Sequence, residues 1–146
     1  MHVRELMTPN PITIGPDMPV LEARQLMFNQ RIRHLLVVGE ERLQGIVTDR
    51  DIRLSLPSQG TSLSVWEVNY LLARLTVGKI MSTKLLTMGP NCEAADAARL
   101  MLTHRIGGLP VVDWGRVIGI VTETDIVRAF AESAAARSEA VRCASE

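Results

Sequence analysis

The sequence predicts an α/β (α+β) fold in which one β-α-β-β-α unit is used twice, with a helical segment inserted between the copies. Three observations predict it. The stretch from Val3 to Ile52 aligns without a gap on the stretch from Val77 to Ile126, about 74 positions on, with roughly 20 of some 50 positions identical. Within each copy the apolar pattern changes from a helical period to short continuous runs of strand type and back. Hydrophobic residues make up 47% of the chain but aromatic ones only 3%, so aliphatic side chains and seven methionines fill the core, which suits helix-on-sheet packing. Two copies of one supersecondary unit are expected to pack about a pseudo-twofold axis, with any binding site near the seam.

Each copy opens on a short extended piece, Pro11–Ile14 in the first and Leu85–Met88 in the second. Gly15-Pro16 and Gly89-Pro90 close these pieces, because that pair interrupts regular structure. A helix follows. Asp17 or Asn91 is placed to cap it, and apolar residues recur at Val20, Ala23, Leu26 and Met27, or at Ala94, Ala97, Leu100 and Met101. Glu22, Glu93 and Asp96 near the starts, with Arg31 and Arg105 at the ends, suit the helix dipole. Two strands come next. Leu35–Val38 and Leu43–Val47 flank a turn at Gly39-Glu40-Glu41, and in the second copy Asp113-Trp114-Gly115 is a hairpin turn with glycine where a positive φ is expected. After Thr48 and Thr122 a second helix begins.

The copies are expected to occupy residues 1–56 and 77–131, and the segment between them spans 57–76. Leu56-Pro57-Ser58-Gln59-Gly60-Thr61 is loop chemistry, while Ser64-Val65-Trp66-Glu67 is a capping-box signature. Val65, Val68, Leu72 and Leu75 continue at helical spacing. Two roles stand open for this helix: a lid over the joint core, or a partner surface anchored by Trp66 and Tyr70. Residues 132–146, rich in Ala, Ser, Glu and Arg, extend the last helix or fray.

Sixteen basic and sixteen acidic residues cancel, so no basic stripe argues for nucleic acid and no polycationic tail for anionic lipid. The longest apolar runs fall far short of the ~18 residues a membrane span needs. Met1-His2-Val3-Arg4-Glu5 lacks an apolar leader, and Cys92 and Cys143 show no motif spacing, so a reducing cytoplasm is the expected setting.

The candidate chemistry lies where the last strand of each copy becomes a helix, at Thr48-Asp49-Arg50-Asp51 and Thr122-Glu123-Thr124-Asp125. Thr-x-x-Asp is a variant capping box, with Thr as N-cap and Asp at the third helical position. The same geometry suits a nucleotide. A helix N-terminus favours an anionic group, a threonine hydroxyl can donate to a phosphate oxygen, and an aspartate one turn on can accept from two vicinal hydroxyls. Asp49 and Glu123 would repel a bare phosphate. Capping and ligand binding both remain open on residue types alone.

Gly119-Ile120-Val121-Thr122-Glu123-Thr124-Asp125 resembles the signature of cystathionine-β-synthase (CBS) domains, Gly-hydrophobic-x-Ser/Thr-x-Ser/Thr-Asp. Gly108-Leu109-Pro110-Val111-Val112-Asp113 is similar to the family's second strand. The first copy departs twice, with Arg50 in place of the second hydroxyl residue and Leu36 in place of Pro110. The likeness covers nearly the whole chain outside the insert and tail, and the insert resembles that of small stand-alone bacterial proteins of the acetoin-utilisation type. What the resemblance implies is a tandem pair, or Bateman module, that binds AMP, ADP, ATP or another adenosyl compound in clefts between the repeats and tunes a separate effector protein. Carried over by position, Asp51 and Asp125 would hold ribose, while Thr48, Thr122 and Thr124 would approach phosphate. Ile12-Thr13-Ile14 and Leu86-Thr87-Met88 would sandwich adenine, with Leu109-Pro110 nearby. Arg33 and His34 stand where the family often places phosphate-binding cations, and Gly107-Gly108 replace them in the second copy. No cofactor is required and no dedicated metal site is expected, although Mg²⁺ could accompany ATP. Family members usually form a face-to-face homodimer, a disc of four repeats, and the apolar faces of Val20–Met27 and Ala94–Met101 are expected to be available for that.

Two other classes compete. An enzyme would need a nucleophile, and Cys92 near a helix start is the best candidate, but no general base accompanies it and its counterpart is Met18. Hydrolase, phosphate-loop and dinucleotide fingerprints are missing, and His2, His34 and His104 are scattered. A ligand-free oligomerisation scaffold is the third class, in which both Thr-x-x-Asp motifs act only as caps.

Overall fold

The computed structural model describes residues 1–57 and 62–138, so the loop residues Ser58–Thr61 and the tail beyond Ser138 lie outside the described residues. The elements are, in order, α1 (Val3–Leu6), β1 (Thr8–Pro9), β2 (Thr13–Ile14), α2 (Val20–Gln30), β3 (His34–Gly39), β4 (Arg42–Thr48) and α3 (Asp49–Ser55). They continue through α4 (Val65–Arg74), α5 (Val77–Ile80), α6 (Ala94–His104), β5 (Gly108–Asp113), β6 (Arg116–Thr122) and α7 (Glu123–Ser138). The expected β-α-β-β-α order is complete in the first copy as β2-α2-β3-β4-α3, and the second copy repeats its helix-strand-strand-helix part as α6-β5-β6-α7. Leu85–Met88, expected to be extended, contributes a single bridge from Met88 to Val111 instead of a strand.

The chain packs as two units, and these differ from the sequence repeats. Pro11–Leu85 form one unit; Met1–Asn10 join the residues from Leu86 onward in the other. Each unit therefore holds the opening segment of the copy to which it does not belong in sequence. The first unit has the sheet β2-β3-β4, with β2 parallel and β4 antiparallel to β3. Its outer edge is extended by Ser82, whose N–H donates to Ile46 O at 2.9 Å and whose carbonyl accepts from Ile46 N–H at 3.1 Å. The other unit has the sheet β1-β6-β5, with Thr8 opposite Ile120, and Met88 on the far side of β5. Pro9, which has no N–H to give, is accommodated because β1 is an edge strand.

Chain reach explains the exchange. In its own sheet the β1 segment would need the edge beyond β4, three strand spacings or ~14 Å from β2. The four residue steps from Pro9 to Thr13 span at most ~14 Å when fully extended, with nothing left to go around the sheet. The segment takes the equivalent edge of the other unit, and the second copy's segment takes the place left open. Both docked segments are anchored by a valine, Val3 and Val77, each completely buried; full burial of such a side chain stabilises by ~1.5–3 kcal/mol.

Gly45 and Gly119 lie directly under these docked segments. A Cβ at Gly45 would stand 2.5 Å from Met81 Sδ and 2.9 Å from Ser82 O; at Gly119 it would stand 2.5 Å from Met7 Sδ and 3.0 Å from Thr8 O. The glycine that opens each Gly-Ile-Val-Thr run thus admits a neighbouring backbone.

The cores are aliphatic. Ile14, Val20, Ala23, Met27, Leu35, Val37, Val47 and Ile52 meet Val77 in one, while Met88, Ala97, Met101, Leu109, Val111 and Val121 meet Val3 in the other. This corrects one expectation. Val20, Ala23 and Met27, like Ala97 and Met101, face their own core and are not available to a second copy; the large apolar residues these helices expose are Leu21, Phe28 and Leu102.

The helix starts also differ from expectation. Asp17 and Asn91 are not the caps, for α2 and α6 begin after Pro19 and Glu93, and neither residue makes a side-chain cap bond. The first helical N–H groups are satisfied by the docked segments, Val20 N–H by Leu75 O and Ala94 N–H by Met1 O, both at 2.9 Å. At the other ends, Arg31 and Arg105 are left-handed C-caps with φ of 54°. The following Ile32 and Ile106 N–H groups return to Met27 O and Met101 O, as a Schellman turn requires. Both hairpins turn through two residues of positive φ, Glu40-Glu41 and Trp114-Gly115, the geometry that matches the twist of the flanking strands.

The insert helix α4 starts at Ser64, whose hydroxyl accepts Glu67 N–H at 3.2 Å. Val68 and Leu72 are half-buried, Leu75 packs on the first unit's core, and Trp66 and Tyr70 stay exposed.

Candidate functional site

In the first unit, three elements bring their ends to one end of the sheet. These are the entry to β2 at Ile12-Thr13, the start of β3 at Arg33-His34, and the passage from β4 into α3 at Thr48–Asp51. Register fixes this, because His34 lies opposite Thr48 and Thr13 opposite Leu36. The first turn of α3 is tied to β3 by Asp49 N–H donating to Arg33 O at 3.0 Å. The other unit repeats the plan: Gly108 lies opposite Thr122, and Glu123 N–H donates to Gly107 O at 3.0 Å. Met88 exchanges backbone hydrogen bonds with β5, giving its N–H to Pro110 O at 3.0 Å and accepting from Val112 N–H at 2.8 Å.

The side chains named from sequence are distributed unevenly. Ile12, Thr13, Arg33, Thr87 and Thr124 are exposed, and His34, Thr48, Asp51, Leu86 and Thr122 are half-buried. Ile14, Met88 and Leu109 belong to the cores, and Pro110 is buried as well, so these four present backbone more than side chain. Asp125, at 6% exposure, is the buried charged residue among the described residues.

Both threonine–aspartate pairs form caps, with different bonds. At the first junction Asp51 Oδ2 accepts Thr48 N–H at 2.9 Å while Thr48 Oγ1 accepts Asp51 N–H at 3.2 Å, a reciprocal capping box. At the second, Asp125 Oδ2 accepts both Thr122 N–H at 2.8 Å and the Thr122 hydroxyl at 3.1 Å. One carboxylate oxygen does the capping in each case. The Asp51 Oδ1 atom makes no hydrogen bond among the described residues. Asp125 Oδ1 lies 3.4 Å from Arg128 Nη1, an ion pair whose arginine is 61% exposed. The guanidinium is exposed although the carboxylate is buried, so Arg128 can turn away into water and leave that oxygen to another donor.

Arg128 was not singled out from the sequence, although Asp-x-x-Arg on one helix places the two side chains as neighbours. Its counterpart in the first copy is the exposed Leu54. Cys92 is exposed and precedes α6 by one residue beyond its cap. Among the described residues no group of three or more His, Cys, Asp or Glu is placed to hold a metal ion, no fully buried side-chain polar atom lacks a partner, and no helix is long and apolar enough to cross a membrane.

Against known proteins, the CBS domain family model matches residues 3–58 and 77–132. The CBS domain-containing protein YhcV of Bacillus subtilis is 34% identical over 124 residues, covering 85% of this chain and 81% of that protein. The CBS domain pair of protein MJ0100, solved with 5-methylthioadenosine and S-adenosyl-L-methionine, superposes with a TM-score of 0.76 at 29% identity, covering 91% of this chain and 98% of that one. A Vibrio cholerae protein described as an acetoin utilization protein (AcuB) gives 0.77 at 27% identity, with 95% and 96% covered. CBSX2 in complex with AMP gives 0.72 at 31% identity, with 90% and 97% covered. Some curated relatives are much longer: the chain spans 23% of an L-aspartate semialdehyde sulfurtransferase of Methanocaldococcus jannaschii, at 31% identity over 130 residues.

Proposed function

This chain belongs to the CBS domain family, and from that premise we propose that it is a regulatory module, without catalysis of its own, that binds an adenosine-type ligand at its strand-to-helix junctions. The bound state is passed to a separate effector protein as a coupling free energy. The module works in the cytoplasm as a homodimer, and exposed Phe28, Leu102 and Phe130 offer apolar helix faces for that association.

The observation that carries this reading is the division of labour within the Asp51 carboxylate. Oδ2 is pinned by the Thr48 N–H, which holds the group in place while Oδ1 keeps its capacity for a vicinal pair of hydroxyls. Ribose supplies such a pair, and each charge-assisted bond to it is worth ~1.5–3 kcal/mol. Relatives solved with AMP, S-adenosyl-L-methionine and 5-methylthioadenosine support the adenosyl class. Arg33 and His34 beside the first junction favour a more highly charged phosphate chain there, with Mg²⁺ accompanying a triphosphate. The complete reciprocal cap at Thr48–Asp51 favours a second reading, a ligand-free scaffold.

Thermal unfolding with AMP, ADP, ATP and S-adenosylmethionine separates the two. A ligand at 100 times its dissociation constant adds ~2.7 kcal/mol of stability, whereas a flat response across the panel leaves only the scaffold. Asp51→Asn keeps an acceptor for the Thr48 N–H, so it should weaken the best ligand roughly tenfold to a hundredfold by calorimetry while the unliganded melting point stays near that of the parent. Arg33→Gly, which imposes the second copy's residue on the first, should weaken ATP more than AMP.

A further inference from the structure

The insert helix α4 carries a face that no part of the described chain covers. Trp66 is 85% exposed and Tyr70 57%. With Ala73 they fall at the four-then-three spacing of a coiled-coil seam, on the side opposite the half-buried Val68, Leu72 and Leu75, of which Leu75 packs on its own unit's core. Charge lies along one flank of this seam. Glu67 stands in the first turn and Arg74 in the last, seven residues apart, both exposed. In a parallel helix pair each would face the opposite flank of its neighbour. In an antiparallel pair the same flanks meet, and Glu67 of one helix comes level with Arg74 of the other, twice over by symmetry.

We propose that the outward face of α4 is a self-association surface whose occupant is α4 of a second copy of this chain, packed antiparallel and crossing near Tyr70. The charge pattern selects this partner, because each end of the helix carries the charge that the other end requires. Arg74, which now lies 4.0 Å over the Tyr70 ring of its own helix, would turn toward the partner's acid. Ten residues make a helix ~15 Å long, which buries less than the ~800 Å² per partner of a stable interface. The contact is therefore weak, reversible and concentration-dependent, and it is separate from the faces of α2, α6 and α7.

The test uses the full chain with Cys92→Ser and Cys143→Ser. Tyr70→Cys in that background should form a disulfide-linked dimer on mild oxidation, because a residue near the crossing point meets its own copy, while Lys84→Cys, exposed but outside α4, should not. By sedimentation, Trp66→Ser should weaken the association of homodimers into larger species about tenfold without touching the helix's own-unit contacts. Glu67→Arg and Arg74→Glu should each weaken it and together restore it. Cross-linking at position 70 no greater than at position 84, or a double charge reversal no better than the singles, overturns the proposal; so does a Trp66→Ser variant that self-associates like the parent, which would leave the face to some other partner.

Discussion

At Thr48–Asp51 the hydroxyl accepts the aspartate N–H while the carboxylate accepts the threonine N–H, so two backbone donors are closed reciprocally. At Thr122–Asp125 the hydroxyl instead donates to the carboxylate, the aspartate is buried, and Arg128 stands over its second oxygen. The motif is shared and the helix begins at the same place in both copies. What differs comes from the neighbours: Arg33-His34 against Gly107-Gly108 on the entering strand, and Leu54 against Arg128 one turn into the helix. A cap needs one carboxylate oxygen, and the surroundings decide what the other one meets. Each junction therefore starts its helix by one rule and leaves its second carboxylate oxygen in a different setting.

The largest effect tests what the two units have in common. Gly45→Val and Gly119→Val each drive a side chain into a docked segment, and each should cost about 2–3 kcal/mol by urea unfolding. If one were tolerated and the other not, the equivalence of the two exchanged segments would fail. The next tests the difference. Asp125→Ala strands the Thr122 N–H and hydroxyl together and should cost about 2 kcal/mol, against about 1 kcal/mol for Asp51→Ala at the half-buried junction. Equal losses would mean that the contrast in burial has no energetic content. The smallest effect concerns the helix ends, where both copies place an arginine at positive φ. Arg31→Gly and Arg105→Gly should each gain about 0.5–1 kcal/mol in chemical denaturation, and unequal gains would show that one of the two turns is also held by its side chain.

Much of this was legible in the residues. The hairpins announced themselves through Gly39-Glu40-Glu41 and Asp113-Trp114-Gly115, and the Thr-x-x-Asp caps through their spacing, because each depends on bonds among residues a few positions apart. The starts of α2 and α6 were misplaced for the opposite reason. Their leading N–H groups find acceptors in Leu75 and Met1, far off in the chain, so Asp17 and Asn91 looked like caps with no sign that the role was filled elsewhere. The apolar stripe of α2 looked free for a partner because periodicity tells which residues share a face, not what covers it. Arg128 was overlooked although its spacing from Asp125 was visible.

Sequence alone determined the duplication, the strand and helix types, the hairpin turns and the junction caps, since periodicity and local hydrogen bonding act within a few residues. It was silent on which unit each opening segment joins, because Val3 and Val77, and Met7 and Met81, present the same side chains to either core. Tertiary structure decided that point through chain reach: three residues between β1 and β2 cannot carry the strand to the far edge of its own sheet. The exchange then settled where α2 and α6 begin and why Gly45 and Gly119 must be glycine.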